Sequence, residues 1–233
     1  MKLGGLTLGK APLVCGVIVK SIDSGSVNRA LKAGADLLEV RLDTFSKRGI
    51  KEIEAPLKRL RKRGVPLILT VRSTKEGGSG KLTDSERLAH FKKLLPLVDA
   101  VDIELGSGRI LKKVIKAAHE EKKKVIVSYH NFTSTPKAEK LASLIKEARV
   151  AGADIIKLAT SAKGKAELRR LAGLLTVNTD LIVIAMGRGG SASRVFFPML
   201  GSLITYAGIT GINAPGQLSI TELRRSFKSF GFK

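Results

Sequence analysis

A single cysteine in 233 residues and a complete lack of tryptophan each exclude something about this chain. Cys15 has no partner for an internal disulfide, and it sits in the apolar run Leu13-Val14-Cys15-Gly16-Val17-Ile18-Val19, where a thiol serves as packing. A reducing, cytoplasmic setting is the expectation. The three histidines form no cluster with the cysteine, so no zinc site is expected. Two tyrosines and no basic–aromatic interleaving supply no platform on which bases could stack.

Acidic residues are scarce too: 20 Asp and Glu stand against 42 Lys and Arg, a net charge of +22. Such a surplus can attract nucleic acid or anionic metabolites, or simply solvate a surface. The clusters Lys58-Arg59-Leu60-Arg61-Lys62-Arg63, Lys112-Lys113 and Lys122-Lys123-Lys124 fall in helical or helix-end stretches, mostly far from the polar strand ends, so they read as a solvated basic surface. No specific nucleic-acid partner is expected. The first ten residues lack the apolar core and cleavage site of a signal peptide. The longest uncharged run, 195–221, is interrupted by Pro198, Pro215, four glycines, Asn213 and Gln217, and does not read as a membrane span.

What the sequence does contain is alternation. Eight apolar runs read as strands, at 13–19, 36–42, 67–72, 100–105, 124–130, 154–158, 181–186 and 203–208. Amphipathic stretches at 26–32, 50–63, 84–97, 108–121, 138–151 and 165–176 lie between them. Repeated strand–helix units imply parallel pairing, and eight of them predict a (β/α)8 barrel in a single domain over 1–233. An internal echo supports the count. Ala33-Gly34-Ala35-Asp36-Leu37-Leu38-Glu39-Val40 matches Ala151-Gly152-Ala153-Asp154-Ile155-Ile156-Lys157-Leu158 at a spacing of 118 residues. If four units take that length, eight close within about the length of the chain.

The echo also places side chains. Glu39 and Lys157 hold equivalent positions on the second and sixth strands, whose like parity makes them share layers across a barrel. Both should point inward near the C-terminal mouth, with Arg41 on the same face by period-2 alternation. An ammonium group is costly on a buried strand unless it is paired, neutral or used, and a neutral amine attacks carbonyls. Other strands end in polar groups as well: Thr70-Val71-Arg72, Asp102-Ile103-Glu104 and Ser128-Tyr129-His130-Asn131. His130 is the candidate general acid–base, whereas His90 and His119 lie in helical patterns and read as surface or packing. The glycine-rich stretch after the third strand has the composition of a mobile loop, and its Glu76 could orient a histidine. After the seventh strand, Gly187-Arg188-Gly189-Gly190-Ser191-Ala192-Ser193-Arg194 reads as a second glycine-rich loop, without P-loop spacing.

Several segments, taken together and in order, carry a resemblance: Glu39-Val40-Arg41-Leu42-Asp43, Thr70-Val71-Arg72 with Glu76-Gly77-Gly78, Val127-Ser128-Tyr129-His130-Asn131-Phe132, Ile156-Lys157, Met186-Gly187 with Ser193-Arg194, and Ala214-Pro215-Gly216-Gln217. Over nearly its full length the chain resembles type I 3-dehydroquinate dehydratase, a shikimate-pathway family. The resemblance implies that Lys157 forms an imine with the substrate ketone, that His130 transfers protons, and that Glu76 orients His130. It implies that Arg194 and Gln217 hold the substrate carboxylate, that Glu39, Arg41 and Arg72 contact its hydroxyls and neighbouring groups, and that Ser21 lines the site. Asn213 stands where the family carries serine, and its amide can donate a hydrogen bond in place of the hydroxyl. No cofactor or metal is implied, and a homodimer is. Two other readings stay open on the residues alone: a class I aldolase acting on a phosphorylated sugar, with the same lysine chemistry, and a basic nucleic-acid-binding protein without catalysis.

Overall fold

The computed structural model describes residues 1–80, 82–187, 189–209 and 216–232. The eight expected strands form one parallel sheet: β1 (Leu13–Ile18), β2 (Leu37–Arg41), β3 (Leu67–Thr70), β4 (Ala100–Glu104), β5 (Lys124–Asn131), β6 (Ile155–Ser161), β7 (Leu181–Met186) and β8 (Ile204–Gly208). Their order is β8-β1-β2-β3-β4-β5-β6-β7, so the ladder runs almost full circle. Between β7 and β8 the circle is joined differently. The Leu203 N–H donates to the Leu181 carbonyl at 2.9 Å, and the Val183 N–H donates to the Ser202 hydroxyl oxygen at 2.9 Å. The barrel is therefore nearly closed, with a serine side chain standing in for one backbone partner at the seam.

Helices α1 (Ser24–Lys32), α2 (Glu54–Arg61), α3 (Asp84–Leu94), α4 (Arg109–Glu120), α5 (Ala138–Ala151), α6 (Lys165–Leu175), α7 (Gly190–Met199) and α8 (Ile220–Ser229) follow the strands in turn. Local chemistry sets their ends. Thr83 with Glu86, and Ser219 with Glu222, form reciprocal capping boxes that start α3 and α8. The stretch expected as one helix over 50–63 is instead two, Lys47–Lys51 and α2, and the helix expected to reach 97 stops at Leu94 before a 3-10 turn containing Pro96, which has no N–H to continue the helix. The glycine-rich loop expected up to Arg194 is also shorter, because α7 begins at Gly190.

The echoed segments have a physical basis. Gly34 and Gly152 both adopt φ +103°, a left-handed conformation that glycine takes without strain where a helix ends. The aspartates two residues later cap the barrel floor: Asp36 accepts the Val14 N–H at 2.7 Å and Asp154 accepts the Val125 N–H at 2.9 Å. Each carboxylate thus satisfies a backbone donor at the start of the preceding strand, which ladder pairing leaves open.

An element that hydropathy patterning did not reveal closes the floor. A short antiparallel ribbon pairs Lys2–Leu3 with Leu6–Thr7, and the buried Leu3 and Leu8 pack against the first residues of the strands, including Leu37, Ile68, Ala100, Ile126 and Ile155. A larger apolar cluster fills the space between the sheet and the helices. With its floor plugged by leucines, the barrel presents polar side chains at the opposite, C-terminal mouth. No helix among the described residues is long and apolar enough to cross a membrane.

Candidate active site

The four even strands each send one side chain into a common layer beneath the mouth. Lys157 of β6 places its Nζ 2.9 Å from Asp102 Oδ2 of β4 and 3.6 Å from Glu39 Oε1 of β2, with the Tyr206 ring of β8 centred 4.0 Å away. Alternate strands share layers in an eight-stranded barrel, so the facing of Glu39 and Lys157 expected from the echo follows from the stagger. All four side chains are buried. Burial by itself raises the Asp102 carboxyl, but the Arg72 and Lys157 charges outweigh it and hold Asp102 well below the usual carboxylate range. Burial, reinforced by the Glu39 carboxylate, pushes the Tyr206 phenol up, so Tyr206 offers Lys157 a neutral aromatic face.

Above this layer the odd strands supply the proton-transfer groups. His130, on β5, has its Nδ1 2.9 Å from Glu76 Oε2, and the same oxygen accepts the His130 backbone N–H at 2.8 Å. When Glu76 is ionised, this geometry puts the ring proton on Nδ1 and leaves Nε2 as the basic nitrogen. Burial, then the charges of Arg72 and Lys157, pull the imidazole well below its ordinary value, so it is neutral at pH 7. Burial also raises the Glu76 carboxyl to about 7, against the opposing influence of Arg72.

Glu76 reaches His130 because of the glycines that follow it. Gly77 has φ +81° and lies under the Phe132 ring, which a Cβ there would approach to 2.7 Å; a Cβ on Gly78 would meet the Arg72 carbonyl oxygen at 2.2 Å. Composition predicts a mobile loop here. The structure shows a 3-10 turn, Thr74–Glu76, tied down on both sides: the Ser73 N–H donates to Glu104 Oε1 at 3.0 Å and the Ser79 N–H to Asp43 Oδ2 at 3.1 Å.

The cavity at the mouth, about 150 Å³, is lined by Glu39, Arg41, Arg72, Glu76, His130, Lys157, Arg194 and Gln217, together with Phe132, Met186, Tyr206 and others. Eight of the ten residues singled out from the sequence thus meet in one place. Arg41 forks onto Asp43 through two 2.9 Å contacts, and Arg72 pairs with Asp102 at 2.9 Å and Glu104 at 2.8 Å. Arg194, expected on a loop, projects from α7; its Nη1 donates to the Tyr206 carbonyl at 3.4 Å, and its Nε has no hydrogen-bond partner among the described residues. Burial lowers its guanidinium to about 10. A buried guanidinium without a carboxylate partner among the described residues is the arrangement that an anionic ligand completes. Gln217 lies against the same Tyr206 carbonyl.

Ser21 is not brought to this cavity. β1 ends at Ile18 and Lys20 turns through φ +66°, so Ser21 is exposed and lines a separate small hollow with Asp23, Ser26 and Val27. Asn213 lies outside the described residues. From the sequence, Asp102 is marked only as part of a polar strand end, with no role, and Tyr206 is not marked at all. Asp102 had a signal, as an acidic residue on an apolar strand with inward parity; Tyr206 had none.

A (β/α)8 barrel with a buried lysine held between carboxylates, and with an imidazole–carboxylate pair beside it at the mouth, defines a class: barrels equipped to form an imine with a carbonyl substrate. Comparison with known proteins narrows the class. A family profile for type I 3-dehydroquinase matches residues 19–232. The 3-dehydroquinate dehydratase of Methanosarcina barkeri is 39% identical, the match covering 96% of each chain. Among solved structures, the 3-dehydroquinate dehydratase of Geobacillus kaustophilus superposes with a TM-score of 0.91 at 27% identity, covering 99% of this chain and 96% of its own, and that of Aquifex aeolicus with 0.85 at 33% identity, covering 94% and 98%. The chain belongs to the type I 3-dehydroquinase family.

Proposed function

We propose that the chain is a hydro-lyase that converts 3-dehydroquinate to 3-dehydroshikimate and water, by syn elimination through an imine on Lys157, within a single catalytic barrel spanning 1–233. The observation that carries the reading is the Lys157 amine at the base of the mouth, between Asp102 and Glu39, below a neutral His130. Family membership favours dehydration over the aldolase alternative, and the Arg194 Nε, which has no hydrogen-bond partner among the described residues, suits a substrate carboxylate.

In this reading Lys157 Nζ attacks the ketone carbon, and loss of water gives a protonated imine. That cation makes the neighbouring C–H acidic. His130 Nε2 removes the proton, and the electron pair moves into the imine as an enamine. The enamine then expels the β-hydroxyl, which leaves as water by taking the proton that His130 holds. One base serving both steps from one side accounts for syn geometry. Water finally hydrolyses the conjugated imine and regenerates the amine, so one water is lost overall. Asp102 and Glu39 stay beside the nitrogen throughout and balance the positive charge of the ammonium first and of the imine afterwards. Arg194 and Gln217 hold the carboxylate, and Glu39, Arg41 and Arg72 face the ring substituents. Every group the sequence requires is a side chain of this chain, with no cofactor.

The homodimer implied by the resemblance and the cytoplasmic location suggested by the cysteine content belong to the same proposal; sedimentation equilibrium tests the first and cell fractionation the second. The catalytic reading is tested by mixing folded protein with 3-dehydroquinate and following the absorbance of the conjugated enone. A rising trace supports it, and a flat trace from folded protein rejects it.

A further inference from the structure

Among the described residues, the chemistry above leaves one buried cation unused. Arg87 belongs to an outer helix, α3, yet its side chain is buried and passes into the barrel wall. Its Nε donates to the Val71 carbonyl at 2.9 Å, one Nη contacts Asp84 Oδ1 at 3.0 Å, and the other pairs with Glu104 Oε2 and approaches the Ser107 hydroxyl. Asp84 is largely exposed, so the head group links the surface to the interior.

Beyond Arg87 the charges alternate without a break. Glu104 Oε1 accepts from Arg72 Nη1 at 2.8 Å, Arg72 Nη2 meets Asp102 Oδ1 at 2.9 Å, and Asp102 Oδ2 meets Lys157 Nζ at 2.9 Å. The Ser128 hydroxyl bridges Arg72 and Asp102 at 2.7 Å to each. Glu104 also accepts the Ser73 N–H at the base of the turn that carries Glu76. Both the amine and the His130–Glu76 pair therefore hang on one chain of buried ions.

We propose that Arg87 is a positioning residue that holds Glu104, and through Glu104, Arg72 and Asp102 sets the ionisation of the Lys157 amine. A buried arginine must be paired, and the only buried carboxylate that Arg87 meets among the described residues is Glu104, so its charge bears directly on how Glu104 is shared with Arg72. Lys157 is faced by Glu39 from β2, Asp102 from β4, Tyr206 from β8, Cys15 from β1, Arg72 from the segment just after β3 and His130 from β5, with Glu76 behind His130. Among these, Asp102 makes the shortest contact with the amine and Arg72 divides its guanidinium between Asp102 and Glu104. Removing the Arg87 charge draws Arg72 toward Glu104, leaves Asp102 more fully to Lys157, and keeps the amine protonated to higher pH.

The inference rests on the dehydratase reading for its purpose, but its test does not need turnover. Reductive methylation of the folded protein at a series of pH values, read as the mass of the peptide carrying Lys157, reports the amine's titration directly. The Arg87→Met variant should move the midpoint of Lys157 labelling upward by about one pH unit, since buried charges a few ion pairs apart still couple at an effective dielectric near 20. Glu104→Gln removes the opposite charge and should move the midpoint downward, and Arg87→Lys should restore most of the wild-type value. Opposite shifts from the two charge removals cannot come from general loosening of the site. An unchanged midpoint in a folded Arg87→Met, or shifts of the same sign in both variants, overturns the proposal. Should Arg87→Met fail to fold, the direction of the Glu104→Gln shift decides. A flat dehydration trace with these labelling shifts intact would remove the dehydratase reading and leave the ion chain standing.

Discussion

Glu76→Gln should damage catalysis in proportion to pH, because the group it replaces changes charge within the working range. Glu76 Oε2 accepts both the backbone N–H and Nδ1 of His130, at 2.8 and 2.9 Å, and a glutamine oxygen can take the same two bonds. The substitution therefore removes the charge and keeps the ring in place. What is lost is the stabilisation of the imidazolium that forms when His130 takes the substrate proton. The attraction between a carboxylate and an imidazolium about 4 Å apart is worth up to about 4 kcal/mol at an effective dielectric near 20, and with lost hydration set against it the charge of Glu76 contributes roughly 2 kcal/mol, or about 30- to 40-fold in rate. Only the carboxylate contributes, and burial raises Glu76 to about 7. At pH 5.5 about 3% of it is ionised and the wild type should exceed the variant only about twofold; at pH 7 the ratio should be about 20, and above pH 8.5 it should level off near 40. The sign is set by the raised pKa: the wild type gains on the variant as pH rises. The assay is kcat/KM for 3-dehydroquinate from pH 5.5 to 9, which reports groups on the free enzyme. A ratio that is constant across this range, or one that shrinks with rising pH, refutes the assigned role.

Borohydride added during turnover should leave a mass increment on the peptide carrying Lys157, and Lys157→Ala should yield neither product nor adduct; trapping on another lysine rejects the assignment. His130→Ala keeps the amine and removes the base, so turnover should fall by about 10²–10⁴-fold while an imine accumulates, visible by intact mass without reductant. Arg194→Ala should lose about ten- to a hundredfold in kcat/KM, mostly through KM, because its buried head makes no ion pair among the described residues for the loss to disturb. Unaltered substrate binding would place the carboxylate elsewhere. At the barrel seam, Ser202→Ala leaves the buried Val183 N–H without its partner, which should cost about 1–3 kcal/mol and lower Tm by several degrees in a thermal melt, with the active-site kinetics unchanged.

Much of the architecture was legible before any coordinates. Strand–helix alternation and the echo at Gly34 and Gly152 identified a parallel barrel, because a glycine helix stop and an aspartate strand cap are local devices with local residue requirements. Strand ends were less legible. β3 stops at Thr70, since the Val71 carbonyl goes to Arg87 and the Arg72 N–H to Asp43, partners supplied from other parts of the chain.

The candidate site divides the same way. Parity along a strand determined that Glu39, Arg41 and Lys157 point inward, and sequence order brought His130 and Glu76 into the same set. Whether those side chains touch depends on the stagger between strands, which no single strand encodes. Ser21 shows this from the negative side: one left-handed residue, Lys20, turns it away from the mouth that the resemblance implied it would line. Tyr206, Asp43 and Arg87 show it from the positive side. A tyrosine on an apolar strand, an aspartate after a strand and an arginine on an amphipathic helix carry no local mark of function. Tertiary structure alone made them a ring under the amine, an anchor for Arg41 and the Glu76 turn, and the outer end of a buried ion chain, because electrostatic coupling follows distance in space and is indifferent to distance along the chain.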